Sequence, residues 1–334
     1  MTSSSSATLR VGVIGVGMMG ADHAERITHR IANAALVAVA DPDQERAHQL
    51  AAEFDDVRVF SDPLALIADD GVDAVLIASP GFVHEEQVLA CIAAGKYALC
   101  EKPLTMDAES SLRVVEAERA GGRPLVQVGF MRRFDPEYAS MKSMLDSGEL
   151  GRLLLVHNVH RNRDVPDTFR SEMIVRDSLV HEVDVCRWLF GEEIVEITVH
   201  SPAPSSLAAE GVIDPQVAVF RMEGGGMATS EVFVKNAVGY EVRCEASAEL
   251  GNATVGLGSG VFVRRANRWG GDVPDDFRVR FAAAYDEEVQ AWVDASRRGE
   301  VVGPTSFDGY AATAVCEAGM ESLRSGAPVK VVLS

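Results

Sequence analysis

Lys102 directly follows the apolar run 97–100 and stands between Glu101 and Pro103. A lysine at the carboxyl end of a buried strand loses hydration, so an anionic or hydroxylated group has to meet its ammonium. In open α/β sheets that edge is where ligands bind. Further along, Asp177 and His181 stand at i and i+4, a spacing that puts two side chains on one helix face. Upstream, Gly15-Val16-Gly17-Met18-Met19-Gly20 has the spacing of a phosphate-cradling turn. A cation, an imidazole with a carboxylate, and such a turn are the parts of a site that moves a hydride and a proton.

The glycine turn has the context it needs. A strand precedes it and a helix opens from it, so Gly15 allows the tight turn and Gly17 lets backbone approach a pyrophosphate. Gly20 permits close helix–strand packing. The helix N-terminus, with Met18 and Met19 in its first turn, offers free N–H groups and partial positive charge. Asp41 ends the second strand, 21 residues past Gly20. Its carboxylate can accept from both adenosine ribose hydroxyls and repels a 2′-phosphate. No Arg or Lys occurs in the four residues after it, which favours NAD over NADP. Ser79-Pro80-Gly81-Phe82-Val83-His84 closes the fourth strand on the same edge, so Ser79 and His84 are either cofactor contacts or parts of a plain turn.

Those residues need a scaffold, and the first 130 residues supply one. Continuous apolar runs at 9–15, 36–41, 57–60, 74–78, 97–100 and 125–129 alternate with helical patterns such as 43–54, 84–94 and 108–120. Uninterrupted runs suit parallel strands covered on both faces. The alternation predicts a doubly wound parallel sheet, a Rossmann domain over 9–129. After Gly129 the pattern changes to helices at 136–146 and 178–190 and strands at 153–160, 194–200, 216–221, 227–234 and 240–246. The last four read as neighbours in an antiparallel sheet, with Glu223-Gly224-Gly225-Gly226 as a hairpin turn. Helices return at 281–297 and 307–323. Residues 130–334 thus form a second, α+β domain with a large, mainly antiparallel sheet, and the Ser-rich residues 1–8 a disordered leader.

Within the helix 178–190, Leu179, Val183, Cys186 and Phe190 carry the apolar face, leaving a polar seam of Asp177, His181 and Asp184. A buried seam of this kind is satisfied either as a structural hydrogen-bonded pair or as a general base. Alcohol oxidation needs a base for the hydroxyl proton, and histidine, with a solution pKa of about 6.5, suits that task. Asp177 would orient the imidazole and favour its charged form, and Lys102 would stabilise a developing alkoxide. A metal is not expected. His157 and His160 are three apart on a strand and point to opposite faces. His160 and Asn162 share one face and suit a polyhydroxylated ligand.

Composition excludes other classes. The 334 residues suit two domains, and a net charge of −19 disfavours nucleic acid and anionic membranes as partners. No apolar run approaches the roughly 20 residues of a membrane span, and the N-terminus shows no secretory h-region. Five cysteines without a CxxC pair read as free buried thiols in a reducing cytoplasm.

Residues 15–20, Asp41, Glu101-Lys102-Pro103, the stretch 126–134, His160-Arg161-Asn162 and the stretch 177–189 together resemble the Gfo/Idh/MocA oxidoreductases. The likeness runs from about residue 9 to the end and includes Gly239-Tyr240, Ala283-Ala284-Tyr285-Asp286 and Gly303-Pro304-Thr305. Met131-Arg132, His160, Asn162 and Tyr240 are most like the members that oxidise inositol. The resemblance implies a catalytic trio of Lys102, Asp177 and His181, with His181 as acid/base, and ring hydroxyls held by Arg132, His160, Asn162 and Tyr240. It implies NAD-dependent oxidation of myo-inositol to its 2-keto form, a cis Lys102–Pro103 peptide and Tyr285 near the nicotinamide. A homotetramer packed through the open sheets follows from it as well. Arg132 and Tyr240 also read as half-buried side chains with exposed tips. The charged loop 163–171 leaves scyllo-inositol, another isomer or an aldopyranose open as substrate. A glycosidase using transient NAD oxidation, or a nucleotide-sensing regulator, are more distant alternatives; the regulator reading sits badly with the presence of both Lys102 and His181.

Overall fold

Apolar residues on both faces of a strand demand cover on both faces, and the first half of the chain is built that way. The computed structural model describes residues 8–257, 263–265 and 268–334, so most of the expected leader lies outside the described residues. Six strands, β1 (Leu9–Ile14), β2 (Ala34–Ala40), β3 (Arg58–Phe60), β4 (Ala74–Ile77), β5 (Tyr97–Glu101) and β6 (Val126–Gly129), pair in parallel in the order β3-β2-β1-β4-β5-β6. Every residue of β4, β5 and β6 is buried. Between the strands run α1 (Met18–His29), α2 (Gln44–Ala51), α3 (Pro63–Ala68), α4 (His84–Ala94) and α5 (Ala108–Ala120). Asp43, Asp62 and Asp107 cap α2, α3 and α5 through their side chains. The strand order reverses between β1 and β4, which opens a crevice at the carboxyl ends of those strands.

The second unit carries α6 (Pro136–Asp146), β7 (Leu153–Arg161), α7 (Ser171–Met173), a π-helical turn over Ile174–Leu179 and α8 (Val180–Phe190), stopped by Gly191 at φ +67. Next come β8 (Ile194–His200), β9 (Gln216–Met222), β10 (Met227–Phe233), β11 (Glu241–Ala248) and β12 (Asn252–Val255). A ribbon follows, β13 (Val263–Arg265) with β14 (Arg268–Gly270). Last are α9 (Phe277–Arg280), α10 (Ala282–Arg298), α11 (Ser306–Ser325) and β15 (Val329–Lys330). The main sheet has the order β12-β11-β7-β10-β9-β8-β15. Burial alternates along β9, β10 and β11, the signature of a sheet with one packed face. The expected hairpin joins β9 to β10, with Gly225 at φ +89 and Met222 N–H donating to Gly226 O at 2.9 Å.

Two expectations change. β10 and β11 are not neighbours: β7 lies between them, parallel to β10 and antiparallel to β11. Residues 234–240 are long enough to step over a strand, and Asn236 N–H donates to Asn162 O just past the end of β7. The second domain is also not one continuous stretch. The chain divides into one unit of residues up to Met131 with Tyr285–Thr313, and another of Arg132–Ala284 with Ala314–Ser334. The segment 285–313 packs in the first unit because it covers the β6 edge. Val128 N–H donates to Pro304 O at 2.9 Å and Gln127 bridges Thr305. No described helix is long and apolar enough to cross a membrane.

Central β4 sets a stability test. Leu76 has no solvent exposure. Leu76→Ala is expected to cost about 2–5 kcal/mol, seen as a lower urea midpoint; an unchanged midpoint would contradict this packing.

Candidate active site

In the first unit the glycine turn is shaped by backbone crowding. A Cβ on Gly20 would lie 1.7 Å from Gly15 O, and one on Gly15, at φ +81, would lie 2.5 Å from Ser79 Cα. A Cβ on Gly17 would meet nothing within 4 Å. Gly17 therefore faces open space at the start of α1, whose N-terminus has no side-chain cap. Such a cradle fits a pyrophosphate held by backbone N–H groups. Met18 is exposed and Met19 half-exposed beside it.

Asp41 is buried just beyond β2. Its Oδ2 accepts from Val16 N–H at 2.8 Å, and Oδ1 accepts from Asp43 N–H at 2.8 Å and Arg46 Nη2 at 2.7 Å. Burial alone would raise this carboxyl, but Arg46 and the two N–H donors bring it below its ordinary value. The four residues after Asp41 carry no Arg or Lys, but Arg46, five residues on in the first turn of α2, reaches back to it. Ser79 Oγ donates to Gln87 Oε1 at 2.7 Å. His84, expected among the cofactor contacts, is buried with its ring nitrogens 2.9 Å from Pro103 O and 2.8 Å from Ser79 O. Burial, ahead of both carbonyls, pushes its pKa down. The ring staples the loop after β4 to the loop after β5, and neither nitrogen is left for a cofactor.

Lys102 follows β5 half-buried, and its peptide bond to Pro103 is cis, as the resemblance implied. Its N–H donates to Glu101 Oε2 at 3.3 Å, while Glu101 Oε1 meets His23 Nε2 at 2.9 Å. Tyr285, in the same unit, packs edge-on to His23 at 5.8 Å between ring centroids and under Arg26 at 5.3 Å.

In the second unit Asp177 lies in the π-helical turn and His181 at the start of α8. The wider turn changes the period that i, i+4 reasoning assumed, and π turns recur at functional sites. Both Asp177 oxygens accept from Arg176, at 2.7 and 2.8 Å. The ring of His181 stands 6.2 Å from that of His160, which in turn meets Tyr240 at 5.8 Å. Burial raises the Tyr240 hydroxyl to about 12. Asn162 continues past β7 with its backbone carbonyl on Asn236. His157 faces the other side of the sheet, exposed and 2.8 Å from Thr229 Oγ1, so the two histidines of that strand do diverge.

Arg132 is neither a surface side chain nor half-buried. It is 1% exposed, ion-paired to Glu182, with Nη2 3.3 Å from His160 Nδ1. Glu182, which the sequence reading passed over, is fully buried, and its Oε2 lies 3.1 Å from His160 Nδ1. Burial would raise its carboxyl; Arg132 and then His160 outweigh that and hold it at about 2. Asp184, placed in the polar seam, is buried against Arg133, with contacts at 2.5 and 3.0 Å. The helix α8 therefore buries charge on more than one face. A carboxylate adjacent to His181 in a helix with hardly an exposed residue was the available signal for Glu182; its partner Arg132 is 50 residues away in sequence.

Residues 9–130 match the family model described as oxidoreductase family, NAD-binding Rossmann fold, and residues 138–254 match the GFO/IDH/MocA C-terminal domain. An inositol 2-dehydrogenase from Saccharopolyspora erythraea is 52% identical over 330 residues, 98% of each chain. The chain belongs to the Gfo/Idh/MocA oxidoreductase family. Among solved structures, myo-inositol dehydrogenase from Lactobacillus casei, in complex with NAD(H) and myo-inositol, is similar with a TM-score of 0.95. It is 34% identical, and 98% of each chain is covered. Scyllo-inositol dehydrogenase from the same organism, with NAD(H) and scyllo-inositol, gives a TM-score of 0.90 at 26% identity, covering 97% of this chain and 99% of that one.

The Arg132–Glu182 pair yields a pH prediction. A depressed carboxyl stabilises fully above its unfolded value of about 4.3 and loses that contribution as pH falls toward the folded value. Glu182→Gln should cost about 3–5 kcal/mol at neutral pH, because it leaves a buried guanidinium unpaired. The gap to wild type should narrow at pH 3. Urea midpoints at both pH values check this; an equal gap at both would refute the ionised pair.

Proposed function

We propose that this chain is an NAD-dependent inositol 2-dehydrogenase, oxidising myo-inositol to 2-keto-myo-inositol. The observation that carries the reading is end-to-end likeness to a dehydrogenase solved with NAD(H) and myo-inositol. The open cradle at Gly17 and the acceptor at Asp41 support the nucleotide part of it.

Lys102, Asp177 and His181 carry the catalysis in this reading. When bound, NAD supplies the hydride acceptor. His181 removes the hydroxyl proton as the carbon loses hydride, so the alcohol becomes a ketone and the imidazole leaves protonated. The Lys102 ammonium stabilises the alkoxide character that develops on the oxygen. Asp177 supplies the anion that favours the protonated ring. His160, Asn162 and Tyr240 hydrogen-bond ring hydroxyls, while Arg132 acts through Glu182 by fixing His160. The second reading keeps the chemistry and changes the isomer, and the likeness to a scyllo-inositol dehydrogenase favours it over an aldopyranose.

We also propose a cytoplasmic homotetramer. Leu155 and Met227 are register partners on β7 and β10, at 41% and 39% exposure, and put apolar surface on the open sheet face. Five free, buried cysteines suit a reducing compartment. Light scattering should give a mass of about four chains, and Leu155→Arg should shift it toward smaller species. A monomer in wild type would overturn the assembly.

NADH formation from a panel of myo-inositol, scyllo-inositol and glucose tests the substrate. Turnover on myo-inositol is expected to lead; turnover on glucose alone would overturn the reading. His181→Ala should lower kcat by about 10²–10⁴ with NAD affinity retained. A variant with near-wild-type turnover would remove His181 from its role.

A further inference from the structure

The guanidinium beside Asp41 has a use beyond neutralising it. Arg46 is rooted in the first turn of α2, where Asp43 caps the helix by accepting from the Arg46 N–H at 3.1 Å. From there Nη2 reaches Asp41 Oδ1 at 2.7 Å, and Nη1 stands 3.8 Å from Asp43 Oδ2. The other Asp41 oxygen holds Val16 of the glycine turn. Asp41 is 3% exposed, whereas the Arg46 side chain is 49% exposed. The anion is thus fixed in the fold, and the cation comes to it from the solvent side.

A 2′-phosphate adds nearly two negative charges and three acceptor oxygens to the adenosine ribose. Asp41 repels it, and a guanidinium binds it well, often through two parallel hydrogen bonds. Both groups are present here at one strand end, and they are spent on each other. We propose that Arg46 is a cofactor-selecting residue held in check by Asp41, a 2′-phosphate receptor that the carboxylate keeps occupied. Asp41 then excludes NADP twice, by repulsion and by engaging the arginine. The inference rests on the NAD reading given above.

The test is nucleotide binding by purified full-length protein without polyol, following NADH and NADPH fluorescence. Wild type should bind NADH and reject NADPH. Asp41→Ser should gain NADPH affinity, and adding Arg46→Met should remove that gain by on the order of ten- to a hundredfold, the worth of a charge-assisted hydrogen bond. Raised salt should weaken NADPH binding to the single variant more than to the double. Asp41→Asn, which keeps the shape and an acceptor for Val16, serves the same comparison where Asp41→Ser fails to fold. Equal NADPH binding by single and double variants would overturn the proposal, leaving relief of repulsion as the whole effect. Wild type that binds neither nucleotide would remove the NAD reading instead, and this inference with it.

Discussion

Gly20 presses so closely on Gly15 that no side chain fits between them, and much of the first unit's ligand-facing edge hangs on that approach. With Gly15 also close to Ser79, the end of β1, the first turn of α1 and the loop after β4 meet backbone to backbone. The helix N-terminus is thereby fixed over the crevice, Gly17 is left facing open space, and the Val16 N–H falls on Asp41. The constraint reaches further through His84. Its ring joins Ser79 O to Pro103 O, so the segment that holds Lys102 is referenced to the same turn. The glycine cradle and Lys102, carried by separate loops, are in this way set by one steric contact.

The second unit is organised by charge. Burying Arg132 and Glu182 costs several kcal/mol per ion, and their attraction recovers this only with close geometry and further hydrogen bonds. The direct ion pair and the hydrogen bond between His160 Nδ1 and Glu182 meet that condition. Net stability is a weak reason for such a pair, since apolar residues of similar volume often do as well. Specific placement is the stronger one. A ring clamped between a guanidinium and a carboxylate keeps its orientation, and His160 stands beside both His181 and Tyr240.

Much of this was legible from residue patterns, and the failures have physical causes. Dense apolar runs marked all six parallel strands, most plainly β4, β5 and β6, where every residue is buried. The strands β8 to β11 were also read from the sequence, yet order along the chain does not fix lateral order, so the insertion of β7 was invisible. The short α3 carries too few residues to show a period, and the packing of 285–313 on the β6 edge is a long-range contact with no local trace. The glycine turn and Asp41 were readable from local spacing, whereas the cis Lys102–Pro103 peptide was implied by the family resemblance. Arg132 was misjudged because arginine is normally exposed, and only its distant partner Glu182 makes its burial affordable. Arg46 escaped notice for a smaller reason: the first turn of α2 brings it back toward Asp41, two residues before the cap, from just beyond the four residues that follow Asp41.

An uncharged polyol gives a protein no ionic handle, so recognition depends on which atoms donate and which accept. In this light the state of Glu182 matters more than its energy. Held at about 2, it is ionised at any ordinary pH and can only accept. Nδ1 of His160 faces that acceptor at 3.1 Å and the Arg132 donor at 3.3 Å. It cannot satisfy both; the carboxylate is the closer partner and can only accept, so the proton belongs on Nδ1. With one proton on the ring, Nε2 is then left as an acceptor, the polarity that a hydroxyl donor requires. On the proposed substrate role, Glu182 sets the hydrogen-bond sense of His160 and stays ionised while doing so.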